Sequence, residues 1–320
     1  MLNFYHVAKN AFRESLREPI FFLLLSTAVV LIGLFPTLSL FVFREQIKLV
    51  IDSSMATTMV FGLIAAVLCA SHTVSREMRN GTVLLLLSKP VPRENFILAK
   101  IAGITVALSV FVLICNVSSL ISLSIACDQF RLNFVTMYIY YGLLVAACVF
   151  GAIRNFISRR SFSSSAVAGM LILMTGFAII LNFMPANSEV PPYSDVIPAF
   201  ILIFFSVWIM GVITVTLSTR FDIVPNLTIC SVLFFSGLIS DYFFGKVAEK
   251  SLFSASSVFY ALIPNWQFFW LADALASKKQ IPVEYLFWAG LYCVIYMAFC
   301  SYLAVILFRN KEIAESLRQG

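Results

Sequence analysis

Charged residues are scarce in this sequence. Asp, Glu, Lys and Arg make up 12% of its 320 residues, about half of the roughly 25% that soluble globular domains contain. Hydrophobic residues reach 61%, and a water-soluble fold cannot cover that much apolar surface with so few polar groups. The composition therefore excludes an ordinary soluble domain and predicts a chain whose solvent is lipid.

Residues that carry catalysis or bind metals are equally few. The two histidines, His6 and His72, lie in different predicted elements, and the seven cysteines form no CxxC pair, so the usual zinc sites are excluded and the cysteines are expected to be small buried residues. The sixteen acidic residues are single and peripheral, which disfavours acid–base and metal-dependent hydrolases. The sequence also lacks a GxxxxGK[ST] loop that could cradle a nucleotide phosphate. We therefore predict a chain that is not an enzyme and binds no cofactor.

Long apolar runs are what the sequence has instead. Eight of them approach or exceed the roughly 20 residues that a helix needs to cross a bilayer, and they lack the alternation of period two that transmembrane β-strands require. We predict an all-α fold, a polytopic transmembrane helical bundle of about six to eight spans. The predicted spans cover residues 20–43, 56–74, 97–127, 135–154, 162–184, 199–219, 224–244 and 285–308.

Residues 1–19 are predicted to form a different kind of element. Apolar residues recur there at helical spacing opposite a charged face, and Pro19 separates the segment from the first span. A helix of this kind lies in the headgroup plane with its apolar side in lipid, although a soluble extension of the first span is the alternative. Residues 20–320 then form one membrane domain.

Basic residues predict the orientation of the chain. With the N-terminus inside, fifteen of the 22 Lys and Arg residues fall in cytoplasmic segments and seven in outside segments, which favours both termini in the cytoplasm. These charges flank the spans and form no basic face for nucleic acid. The aromatic-rich segment 245–283 then lies outside, unless a neighbouring span is re-entrant, and its aromatic residues are typical of anchoring at the membrane interface; a lid over an exit path is the alternative.

Polar residues in the middle of the predicted spans are few and uncharged. Asn116, Ser118 and Ser122 lie in the third span, with the two serines on one helical face. Interhelical hydrogen bonding is the usual role of such residues, and a pathway for cargo is the alternative. Ala147 and Gly151 allow a close helix contact, within the chain or between copies. The absence of an ionisable residue at mid-depth disfavours a gradient-driven carrier.

The segment at residues 75–96, between the second and third spans, is the most informative. Asn80-Gly81 can end the helix that leaves the membrane, and Thr82 can cap a new short helix. Residues 83–87 are all apolar but too few to span a bilayer, so they must be buried against headgroups or another protein. Pro90 then begins an extended exit. A short helix held at both ends suits a groove on a partner protein.

A motif of fixed residues runs through this segment. It reads Glu77-x-x-x-Gly81-Thr82, then Leu86-Leu87-Ser88-x-Pro90-Val91-x-Arg93, with Lys100 and Gly103 in the next span. In these residues the chain resembles the ABC-2 type permeases, the membrane subunits of ATP-binding-cassette exporters, and a weaker pattern at Leu262-Ile263-Pro264-Asn265-Trp266 resembles them too. The resemblance implies a coupling helix that docks on an ATPase. Its docking residues are Arg76, Glu77, Gly81, Thr82, Leu84, Leu85, Leu86, Leu87, Ser88, Pro90, Val91 and Arg93.

The resemblance also implies partners and a location. Separate ATPase subunits would bind ATP and Mg²⁺. A second permease copy would complete the transporter, and the resemblance favours a homodimer over a heterodimer. The transporter would lie in the bacterial inner membrane. Two apparent extra spans in the middle of the chain depart from the family's common six-span plan. The alternatives are a gradient-driven carrier or lipid-handling membrane protein without an ATPase, and a structural subunit of a larger membrane assembly.

Overall fold

A computed structural model describes residues 2–38, 46–75, 93–127, 131–183, 193–240, 242, 263–271 and 281–319. Within these ranges the fold is all-α, as predicted. The long helices are α1 (Leu2–Arg17), α2 (Pro19–Leu38), α3 (Gln46–Ala70), α4 (Arg93–Ile125), α5 (Phe134–Ser158), α6 (Phe162–Phe183), α7 (Tyr193–Ser218), α8 (Ile223–Ser240) and α9 (Val283–Gln319). A π-helical turn, Ser71–Ser75, ends α3, a 3-10 turn covers Trp266–Phe269, and the two-residue strands Ala126–Cys127 and Arg131–Leu132 pair antiparallel after α4.

The helices α2 to α9 are long and apolar enough to cross a membrane, and they confirm the eight predicted spans. The largest difference at the start of a span is in α3, which begins at Gln46, ten residues before the predicted start. Lys48 and Asp52 lie in its first turns, before the predicted start of the span at residue 56. The 25 residues of α3 rise about 38 Å, whereas the hydrocarbon core is about 30 Å thick. A charged first turn can therefore remain helical in the headgroup layer.

Three helices, α3, α4 and α7, form the centre of the bundle. In α3 and α4, 61% of the apolar stretch is buried, and in α7 67%, compared with 22% in α5 and in α9. Helix α4 is the hub, because it packs against α1, α2, α3, α6 and α7, and its side chains Ile104, Leu108 and Phe111 are fully buried. The outer helices leave most of their apolar surface uncovered by this chain, as lipid-facing helices do.

Helix α1 is a separate element that rests partly on protein. Its small residues Ala8 and Ala11 lie against Gly103 of α4, close enough that a Cβ atom at residue 103 would overlap the Ala8 carbonyl oxygen. Phe4 and Tyr5, nearer its N-terminus, are exposed. Part of the apolar face that the sequence assigned to lipid is therefore covered by α4.

Close packing of small residues joins α5 to α6. Gly151 lies against Ala166, and Gly169 lies against Ala147, so the two helices approach backbone to backbone. The small residues predicted to allow a close contact therefore make it within one chain rather than between copies.

The cysteines have the predicted character. The six cysteines for which side chains are described are free thiols. Five of them are buried in the apolar core, namely Cys69, Cys115, Cys230, Cys293 and Cys300. They act as small core residues in helices.

An ion pair fastens α1 to α4. The Lys100 Nζ atom lies 3.5 Å from the Glu14 Oε2 atom, and the exposed side-chain fractions are 2% for Lys100 and 32% for Glu14. The Lys100 ammonium also lies over the Phe96 ring, 5.8 Å from its centroid. The pair lies near the start of α4 and therefore close to one end of the bundle. Water reaches the Glu14 carboxylate there, whereas the Lys100 ammonium is buried.

The unequal burial of this pair predicts unequal costs of breaking it. Glu14→Gln removes this counter-charge from a buried ammonium and should lower the free energy of unfolding by about 2 kcal/mol. Lys100→Met keeps the apolar stem and leaves a carboxylate that water reaches, so the cost should stay below about 1 kcal/mol. Thermal unfolding of both variants in the same detergent measures the difference. A larger loss for Lys100→Met would contradict this account.

Candidate functional site

The predicted docking segment lies largely outside the described residues. Eleven of its twelve predicted residues fall between positions 76 and 91, and the twelfth, Arg93, is the first residue of α4. The two helix ends that flank the segment are described. The helices α3 and α4 pack against each other, and α1 contacts both the π-turn that ends α3 and α4 itself, the latter through Lys100 near its start.

The end of α3 is buried against neighbouring elements of the fold. Its final π-turn buries Ser71 and Thr73, and the Thr73 hydroxyl donates to the Cys69 carbonyl oxygen at 2.7 Å. The His72 Nδ1 atom lies 3.6 Å from the Glu18 Oε1 atom, between α1 and α2. The π-turn also packs against α7, so the exit from α3 is held on several sides.

The beginning of α4 is equally anchored. Phe96 and Ile97, in its first turn and just after it, are buried. The Phe96 ring lies 6.2 Å from the Phe308 ring near the C-terminal end of α9, centroid to centroid. On both sides of segment 76–92 the chain therefore becomes buried within a few residues, at Val74 before it and at Phe96 after it, while Glu94 and Asn95 are exposed.

The polar residues predicted in the third span lie on α4 and are buried. The Asn116 side-chain amide donates to the Phe200 carbonyl oxygen of α7 at 3.3 Å. The Ser122 hydroxyl donates to the Ile32 carbonyl oxygen of α2 at 2.8 Å. The Ser118 hydroxyl is fully buried and has no hydrogen-bond partner among the described residues. Asn116 and Ser122 thus bond α4 to helices on two sides.

Further hydrogen bonds join the spans, and two of them, from Tyr140 and Trp208, were not predicted from the sequence. The Tyr140 hydroxyl of α5 donates to the Val29 carbonyl oxygen of α2 at 2.5 Å, and the Trp208 indole of α7 donates to the Ser109 hydroxyl of α4 at 2.8 Å. The Thr216 hydroxyl of α7 lies 3.1 Å from the Cys300 carbonyl oxygen of α9. A single Tyr or Trp within an apolar run was the available signal, because each carries a donor that must find a partner when buried.

The interhelical bond of Ser122 gives a measurable contribution to stability. Ser122→Ala should lower the free energy of unfolding by about 1 kcal/mol, because it removes a bond between two helices inside the bundle. Ser119→Ala is the matched control, since that buried hydroxyl bonds to Cys115 within its own helix and its loss should cost less. Thermal unfolding in detergent measures both. Equal losses would argue against an interhelical role for Ser122.

Residues 263–271 of the aromatic-rich segment pack against the helical bundle. Trp266 and Phe269 are buried, and Trp266 packs against Gly237 of α8, where a Cβ atom would collide with its indole ring. The Gln267 side-chain amide donates to the Leu238 carbonyl oxygen at 2.9 Å. Helices α7 and α8 therefore cover Trp266 and Phe269 with protein, and the expectation that the aromatics of the segment anchor it at the membrane interface stays a prediction.

Comparison with known proteins gives one family. Residues 5–191 match the family model described as ABC-2 family transporter protein. The match begins in α1, ends after α6 and includes the motif segment between α3 and α4, whereas the weaker pattern near residues 262–266 lies beyond it. The search of curated proteins finds no match for the chain.

Proposed function

Because the chain belongs to the ABC-2 family of transporter proteins, we propose that it forms the translocation path of an ATP-driven exporter and couples to a separate ATPase subunit. The family match over residues 5–191 carries the proposal. The missing GxxxxGK[ST] loop supports a separate ATPase, because ATP binding needs that phosphate cradle. This chain then supplies the movable helices, and the partner supplies the nucleotide chemistry.

Segment 76–93 is the proposed docking site for the ATPase. Two observations support this role: the five apolar residues 83–87 stand outside the spans, and the flanking helices α3 and α4 are among the most buried in the bundle. A pull on the segment would act on α4, which is bonded to α7 through Asn116 and to α2 through Ser122. The centre of the bundle would move as a unit, which is a rigid-body coupling mechanism. Asn116, Ser118 and Ser122 have packing roles in this scheme rather than pathway roles.

The proposed orientation places both termini in the cytoplasm of a bacterium, with the chain in its inner membrane. The basic residues support it, since the turns after α5 and α7 hold Arg159, Arg160 and Arg220, on the side that an even number of spans assigns to the N-terminus. Two copies of the chain would pair, because one chain supplies one membrane half of such a transporter. The Glu14–Lys100 pair does not favour a gradient-driven carrier, because Lys100 is only seven residues from the start of α4 rather than at mid-depth.

Co-purification tests the proposal. The chain is extracted from its native membrane in a mild detergent, and proteins that remain bound are identified and assayed for nucleotide hydrolysis. We expect a companion of about 200–350 residues, the size of one or two domains, that hydrolyses ATP. Recovery of the folded chain without a nucleotide-hydrolysing companion would contradict the proposed function.

A further inference from the structure

A cleft of about 540 Å³ opens between α1 and the turn that joins α5 to α6. Four arginines face it, two from each side, together with one leucine and two serines. The lining residues are Arg13, Leu16, Arg17, Arg159, Arg160, Ser161 and Ser164. Among the described residues, neither the polar residues of α4 nor the buried contacts that flank the docking segment line this cleft.

The positive charge in the cleft lacks a counter-charge among the lining residues that the structure describes. The two acids of the neighbouring α1 region are directed elsewhere: Glu14 pairs with Lys100 of α4 at 3.5 Å, and Glu18 lies 3.6 Å from His72 at the end of α3. Arg13 and Arg17 are four residues apart on one helix face, and like charges at this spacing destabilise a helix. All four arginines are exposed, so water screens part of their repulsion, and an anion bound among them would relieve the rest.

The turn after α5 is built so that both of its arginines reach the cleft. Arg159 adopts a left-handed backbone conformation, with φ of 48°, which is uncommon for a residue other than glycine. The Asn155 side-chain amide donates to the Arg160 carbonyl oxygen at 2.7 Å and holds the turn. The 22-residue helix α6 begins at Phe162, so its positive dipole end lies at the cleft and adds to the arginine charge.

The surroundings of the turn are apolar. Phe156 and Ile157, in the last turn of α5, have exposed fractions of 89% and 74%. Such exposure is unfavourable in water but is normal beside acyl chains. The end of α5 therefore places apolar side chains directly before a pair of arginines, as expected where a membrane's tails meet its headgroups.

We propose that this cleft binds the phosphate headgroup of an anionic phospholipid, with the acyl chains alongside the exposed end of α5. Guanidinium groups suit phosphate because their planar donors can bind two oxygens at once. Basic pockets between membrane helices bind lipid headgroups by the same chemistry. A bound lipid would link α1 to the α5–α6 turn, and α1 also contacts α4 and the π-turn that ends α3.

Lipid titration of the full-length chain tests the assignment. The purified protein is titrated with phosphatidylglycerol and with phosphatidylcholine of the same acyl chains, and bound lipids are counted by native mass spectrometry. We expect a preference for phosphatidylglycerol, and the R17Q/R160Q double variant should weaken its binding on the order of tenfold or more, because each basic residue near a membrane surface contributes roughly fivefold. Binding of phosphatidylcholine should not change.

K9Q/R220Q is the matched control, since it also removes one cation from α1 and one from a turn between spans, and both residues lie outside the cleft. It should keep the preference for phosphatidylglycerol. An equal loss in both double variants, or a preference that survives in R17Q/R160Q, would overturn the proposal. If R17Q/R160Q is not monodisperse, the single variant R160Q is titrated instead, because Arg160 lies in an exposed turn. Its affinity for phosphatidylglycerol should fall several-fold.

Two further measurements distinguish other anions. Inorganic phosphate, added at the lipid concentration, should give no thermal stabilisation; stabilisation equal to that by phosphatidylglycerol would identify a site for free anions instead. Loss of a bound ATPase from R17Q/R160Q, with lipid binding unchanged, would assign the cleft to an acidic protein surface. Either result would overturn the lipid assignment.

Discussion

Replacing Leu85 by glutamate should abolish the association of this chain with its ATPase while leaving the chain folded. Leu85 is the middle residue of the apolar run 83–87, which the proposed docking would bury in a groove on the partner. A carboxylate buried there without a counter-charge costs several kcal/mol, and a loss of about 3 kcal/mol weakens binding roughly 150-fold. Co-purification of the ATPase, and ATP hydrolysis by the purified complex, measure the effect.

Val224→Glu provides the control for this experiment. Val224 is an exposed apolar residue in the first turn of α8, and on the proposed orientation it lies at the same end of the bundle as segment 76–93. The variant introduces the same charge, which the start of a helix tolerates, so the ATPase should remain bound. A Leu85→Glu protein that still carries its ATPase would contradict docking through this segment.

Replacing Gly103 by valine should detach α1 from the bundle. A Cβ atom at residue 103 would overlap the Ala8 carbonyl oxygen and crowd the Ala11 side chain, and neither backbone can move without separating the two helices. Overpacking of this kind costs about 1–3 kcal/mol, which corresponds to an increase of roughly 5- to 150-fold in the detached population. Trypsin cleavage at Arg13 and Arg17 reports that population, because a docked helix protects its backbone.

Gly176→Val is the matched control for the detachment of α1. Gly176 also lies within a spanning helix, α6, and a Cβ atom there would meet no other group within 4 Å. The substitution adds the same side chain, so trypsin cleavage in α1 should match that of the unaltered protein. If Gly103→Val leaves the cleavage rate unchanged, the close contact of α1 with α4 does not hold α1 in place.

The spans could be predicted from the sequence because membrane insertion is decided by local composition. About 20 consecutive apolar residues suffice, and neither the neighbouring helices nor the order of packing alters that requirement. The same reasoning located the eight helices, and it misplaced the start of α3 because Lys48 and Asp52 fall where the helix extends beyond the hydrocarbon core. The motif of the ABC-2 family was also readable, since its residues fall within one short stretch between positions 77 and 93.

Burial and pairing of individual side chains could not be predicted in this way. The local sequence around Trp266 does not show whether its ring faces lipid or protein. Only its packing against Gly237 shows that protein covers the ring. The pair between Glu14 and Lys100 joins residues 86 positions apart. The arginine cleft likewise joins residues of α1 to a turn more than 140 positions later, and each arginine alone resembles an ordinary charge flanking a span.

The sequence by itself therefore determined that this protein is a bundle of membrane-spanning helices with a motif of the ABC-2 family, because both properties reside in continuous stretches of chain. Only the tertiary structure decided that α4 is the hub, that residues 263–271 pack against the bundle, and that four arginines share one cleft. These features depend on contacts between distant residues, and their free energies arise from burial and charge pairing that exist only after the helices have packed.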